Sequence, residues 1–182
     1  MINELVGATS GRPAVLSPDS PKPDAKTGRS AARTGNARPY TGSITQVVHM
    51  KTLEEVRKIF EADRFATENG AVIEEIGDHS AVCSLVITPS HRNAMGAVMG
   101  GVYFMLADFA FAVAANWEKM GCVSIHSDIS FLGAAKGKQL IARAVCVKNG
   151  RTTACYRVDV TDELCNLAAT VTVTGCHVGS AH

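Results

Sequence analysis

Neither sign of charge is in excess here: 18 Lys and Arg stand against 17 Asp and Glu, a formal net charge of +1. Nucleic-acid and membrane-surface proteins need basic clusters dense enough to neutralise several phosphates, and no such cluster occurs, which argues against both partner classes. Paired cysteines are missing too. Cys83, Cys122, Cys146, Cys155, Cys165 and Cys176 are scattered, with no CxxC pair and no histidine at zinc-finger spacing, so they read as reduced core residues. No charged segment followed by an apolar run opens the chain, and the expected location is the cytoplasm.

What the chain does have is a hydrophobic fraction of 46% with 19% charged residues over 182 positions. That composition is globular, and the length suits one domain with its own core. Residues 1–49 are the exception, being rich in Ser, Gly, Pro, Ala, Thr and Arg without hydrophobic periodicity. They are expected to be a disordered, dispensable tail. A transit peptide would need an amphipathic face that this segment lacks. The preferred reading takes Met50 as the biological start, with a folded domain over 50–178 and a short tail over 179–182.

Thr52 and Glu55 form a capping box, and Leu53, Val56, Ile59 and Phe60 repeat at helical spacing up to the stop at Asn69-Gly70. Residues 71–76 and 81–88, around Gly77-Asp78, read as a hairpin. A loop over 89–101 leads into 102–117, which is almost wholly apolar and reads as a long buried helix. Beyond it, Val123, Ile125, Ile129 and Phe131 share one face of a half-buried strand, with Ser124, His126, Asp128 and Ser130 on the other. Strands over 139–147 and 152–160 flank an Asn149-Gly150 turn, and 167–173 is a last strand. The predicted class is α+β, an antiparallel sheet wrapped around one helix. A membrane span over 94–115, with a GxxxG match at Gly96 and Gly100, is the rival; Asp108 near its middle and the amphipathic strands oppose it.

Asp108 is the only charged side chain between Arg92 and Glu118. An unpaired charge on an apolar helix is either useful or held in a charge pair or cap, and both readings stay open on the residues alone. The loop His91-Arg92-Asn93-Ala94-Met95-Gly96-Ala97-Val98-Met99-Gly100-Gly101 runs directly into that helix. This pattern of Asn, a Gly three residues on, a Gly-Gly pair and a helical Asp resembles the PaaI-like branch of the hotdog-fold acyl-CoA thioesterases. The resemblance covers roughly residues 52–178, including the Ser-containing strand, the Asn-Gly hairpin and Val158-Asp159-Val160.

The resemblance implies hydrolysis of acyl-CoA to a free acid and CoA, without cofactor or metal, in a homodimer or homotetramer. Asp108 would be the general base or the nucleophile, two roles that the sequence does not separate. A backbone N–H at Gly100 would serve as oxyanion donor, Asn93 would orient water or contact the thioester, and Ser124 would hydrogen-bond the water or Asp108, unless it is an ordinary solvent-facing serine. Gly101, His91 and Met99 are candidate substrate contacts, although His91 also reads as a surface-loop histidine. In the family Asn and Gly come from one subunit and Asp and Ser from its neighbour. Met99 departs from the usual His before the Gly-Gly pair and removes a polar contact there. His79, His126 and His177 lack metal-ligand spacing and are expected to be exposed. Two rivals remain: a non-catalytic acyl-CoA sensor, and a hotdog hydratase, which would require a His shortly after Asp108.

Overall fold

The computed structural model describes residues 50–179; the expectations for 1–49 and 180–182 lie outside them. Helix α1, Leu53–Phe60, begins at Thr52, whose hydroxyl and backbone close the capping box with Glu55. The helical pattern up to Asn69-Gly70 does not form one helix. It breaks after Phe60, and a short α2, Arg64–Glu68, follows. The Asp63 N–H turns back to the Phe60 carbonyl at 3.0 Å, and the change of direction lets Phe60 and Ala66 both reach the core.

Six strands follow: β1 Ala71–Gly77, β2 Ser80–Val86, β3 Cys122–Phe131, β4 Gln139–Asn149, β5 Thr153–Asp162 and β6 Leu167–His177. They form one sheet in the order β1-β2-β4-β5-β6-β3, with every pairing antiparallel. The long helix α3, Gly100–Asn116, carries Leu106, Ala107, Ala110 and Val113 with essentially no exposure. A helix apolar all round must be enclosed, and α3 touches all six strands. This is the expected hotdog arrangement, with its core between the sheet and the helix.

The membrane reading of 94–115 is overturned. Residues 94–99 are not helical, and no helix of the described residues is long and apolar enough to cross a membrane. The reading of β3 also changes. The pairing with β6 shifts between Ser124 and His126, so Ile125 is bulged and the two-residue alternation breaks there. Ser124 therefore shares the α3-facing side with Ile129 and Phe131, not with His126 and Asp128. As the edge of the sheet the strand is also more open than half-buried, with Val123 46% and Ile125 60% exposed. The cysteines are all free; Cys83 and Cys122 are buried, whereas Cys165 is exposed in a turn, not in the core.

Candidate functional site

The 93–99 loop is built by its asparagine. Asn93 Oδ1 accepts hydrogen bonds from the N–H groups of Met95 (3.0 Å) and Ala97 (3.1 Å), and the Asn93 backbone exchanges further bonds with Gly96 and Ala97. Gly96 closes this turn at φ 77, a left-handed conformation that glycine adopts without strain. The side-chain oxygen of Asn93 is thus committed to the loop, and its amide NH2 has no partner among the described residues. The loop delivers the chain to the α3 amino terminus, where the first N–H groups of a helix have no internal acceptor. Those of Gly100 and Gly101 are such donors.

Packing bears on the first of the two glycines. A Cβ on Gly100 would stand 3.0 Å from the Phe131 ring, whereas one on Gly101 would meet only the Met99 terminal methyl, at 2.6 Å, the movable end of a half-exposed side chain. Phe131, at the far end of β3, also meets Tyr103 edge-on with ring centroids 6.3 Å apart. Room at Gly100 is therefore taken by an aromatic ring, a reason for glycine separate from close approach of a substrate. Met99 is about half exposed and caps the helix through its backbone alone.

His91 is not a surface histidine. Its side chain is buried; Nδ1 accepts from the Thr88 N–H at 3.0 Å, and Nε2 lies 3.0 Å from the Asn69 carbonyl, to which it donates. Both ring nitrogens are spent on backbone groups, which leaves neither for a ligand. The short 3-10 turn Pro89–His91 brings the ring inward.

Two turns along α3, Asp108 is half-buried and lines an open cleft of about 490 Å³ with Ser124. Burial pushes the Asp108 carboxyl above its ordinary range; a hydrogen bond from Ser124 pulls it down, and the nearby Asp63 carboxylate pushes it up. The remaining wall is mainly apolar, with Ile59, Phe60, Phe111, Ala112, Met120 and Val123. Within one chain Asp108 and Ser124 share this cleft, while His91, Asn93, Met99, Gly100 and Gly101 do not line it.

Two residues missed in the sequence shape this site. Asn116, the last residue of α3, donates from Nδ2 to the Ala112 and Cys122 carbonyls (both 2.9 Å) and accepts at Oδ1 from Gly121 (2.9 Å) and Cys122 (2.8 Å). It fastens α3 to the start of β3, and so fixes Ser124 beside Asp108. A lone amide ending an apolar helix was the available signal. Asp63, the second carboxylate of the cleft, carried no signal, because it sits among ordinary surface residues.

A thioesterase superfamily model matches residues 95–169. A putative esterase of Archaeoglobus fulgidus is 35% identical over 100 residues, 54% of this chain and 65% of its own length. The acyl-coenzyme A thioesterase PaaI of Escherichia coli is 28% identical over 114 residues, 62% of this chain and 81% of that protein. The structure of E. coli PaaI superposes with a TM-score of 0.65 at 25% identity, covering 70% of this chain and 97% of that one. The phenylacetic acid degradation protein PaaI of Thermus thermophilus is 30% identical, with a TM-score of 0.60 over 64% of this chain and 100% of that one. With these similarities and the sheet wrapped around α3, the chain belongs to the thioesterase superfamily, in its PaaI-like hotdog branch.

Proposed function

We infer that this protein hydrolyses acyl-CoA thioesters to a carboxylic acid and CoA, with Asp108 as the reacting carboxylate. The observation that carries this is the half-buried Asp108, held beside Ser124 in a largely apolar cleft with its proton affinity raised by burial. A carboxylate so placed is a better base than one in water, because its neutral form is favoured. As general base it takes a proton from water while the water oxygen attacks the thioester carbonyl. As nucleophile it forms a mixed anhydride, which water then opens. In both routes the carbonyl oxygen gains negative charge, the C–S bond breaks, and the CoA sulfur leaves and is protonated.

The charge on the carbonyl oxygen would be met by the Gly100 or Gly101 N–H, at the positive end of the α3 dipole, with the Asn93 amide nearby on its loop. These groups do not line the cleft of their own chain, which supports a site completed by a second copy. The two sheet edges differ in a way that favours β3 as the joining edge. At β1, the Arg57 guanidinium donates to the Ile73 carbonyl from Nε (2.8 Å) and from a terminal nitrogen (2.7 Å), which blocks strand addition there. β3 presents open backbone together with the exposed Val123 and Ile125. A homodimer, or a homotetramer made from two of them, would bring Asn93 and Gly100 of one copy to Asp108 and Ser124 of the other.

The test is a panel of acyl-CoA esters from short aliphatic to phenylacetyl and hydroxybenzoyl, read by release of free thiol. Turnover that disappears in Asp108→Asn supports the reading; no turnover on any ester points to the non-catalytic acyl-CoA sensor.

A further inference from the structure

Asp63 has no evident structural employment. Its backbone is fixed from both sides: its N–H donates to the Phe60 carbonyl at 3.0 Å, and its carbonyl accepts from the Thr67 N–H at 3.1 Å and the Thr67 hydroxyl at 3.0 Å. Its carboxylate, although at the N-cap position of α2, caps nothing, and it forms no ion pair or side-chain hydrogen bond among the described residues. It is only partly exposed and lines the cleft of Asp108 and Ser124.

The other polar side chains of that cleft are accounted for. Asn116 has its oxygen and its amide nitrogen bound to backbone, and Ser124 stands in the cleft with Asp108, whose carboxyl it pulls down. Asp63 is left as a negative charge set in the apolar wall formed by Ile59, Phe60 and Ala62. A like charge brought near the Asp63 carboxylate at the wall of this cleft is repelled.

We propose that Asp63 selects the acyl group by charge: neutral acyl groups enter the cleft, a hydroxyl at their far end finds an acceptor on Asp63, and acyl groups ending in a carboxylate are turned away. This rests on the thioesterase reading and names the substrate class of the same site. Discrimination of this kind works by a repulsive element, and needs no added attraction to the favoured substrate.

The test compares kcat/KM for hexanoyl-CoA, 6-hydroxyhexanoyl-CoA and adipoyl-CoA, which share a chain length and differ at the far end, using the full chain at constant ionic strength. The parent should disfavour adipoyl-CoA relative to hexanoyl-CoA by roughly tenfold or more, and Asp63→Asn should raise the adipoyl-to-hexanoyl ratio by roughly tenfold. The ratio is the readout because any effect of Asp63 on Asp108 itself acts on all three esters and cancels. Asp63→Ser, also neutral and also suited to a helix start, should move the ratio the same way and guards against a defect of the Asn variant. A ratio unchanged in both variants, or a parent that prefers adipoyl-CoA, overturns the role of Asp63 while leaving the thioesterase reading intact. A parent that hydrolyses none of these esters nor any of the wider panel overturns the thioesterase reading, and this role with it.

Discussion

Ser124 and Phe131 stand seven positions apart on β3, yet both face α3: Ser124 lines the cleft beside Asp108 and Phe131 packs over Gly100. An odd separation puts two residues on opposite faces of a regular strand, so the bulge at Ile125 is what lets one strand serve both the carboxylate and the helix amino terminus. Ser124 favours the charged form of Asp108. Ser124→Ala should therefore raise the carboxyl further, and since catalysis needs it ionised, the acid limb of kcat against pH should move to higher pH. An unmoved limb would separate Ser124 from the chemistry.

Asp108→Asn should lower turnover by roughly 100 to 10,000-fold, the range of general-base loss, while the fold is kept. The Asp108 carboxyl is pushed up on folding, so the charged form is disfavoured in the native state. Well above the raised native value, where the residue is charged in both states, the Asn variant should melt later than its parent. That advantage should fade as pH falls through the raised native value towards about 4, where Asp is neutral folded and unfolded. Melting curves across pH, paired with rates, check this; earlier melting with near-parental turnover would mark Asp108 as a structural residue.

His91→Ala should destabilise by about 3 kcal/mol, since it empties a buried site and leaves the Thr88 N–H and Asn69 carbonyl unpaired. Chemical denaturation measures it. A variant of parental stability with a raised KM would instead return His91 to the substrate contacts.

Asp162 is buried, and burial pushes its carboxyl up, but hydrogen bonds from Asn166, Lys136 and Gly137 outweigh this and hold it well below the usual carboxylate range. A group depressed on folding contributes stability in full above its unfolded value, and loses it as pH falls through the folded one. The parent should lose stability on acidification below about 4. Asp162→Asn should be less stable than the parent at pH 7, and the gap should narrow in acid. Melting temperatures at several pH values decide it, a constant gap counting against the charge.

Ile125→Glu places a charge on the open edge of β3, where two copies would bring like charges together. Light scattering should show a shift towards monomer, and acyl-CoA hydrolysis should fall with it if the site is shared. A fully active monomer would refute the shared site.

What the residues determined by themselves was set by local rules. The capping box at Thr52, the Asn149-Gly150 hairpin, the strand alternation and the apolar run after Gly101 each carry a short-range physical signature, and together they specify a sheet around one buried helix. Asp108 stood out for the same reason, a charge on an otherwise uncharged helix. Tertiary structure decided the rest. His91 is buried because carbonyl 69 and N–H 88 come together around it, a meeting that no spacing announces. The bulge at Ile125 reverses the faces of β3 only in its pairing with β6. Asp63 comes to line the cleft of Asp108 because the helical pattern breaks after Phe60. Residues distant in sequence converge through the packing of separate elements, and their short-range patterns do not encode that packing.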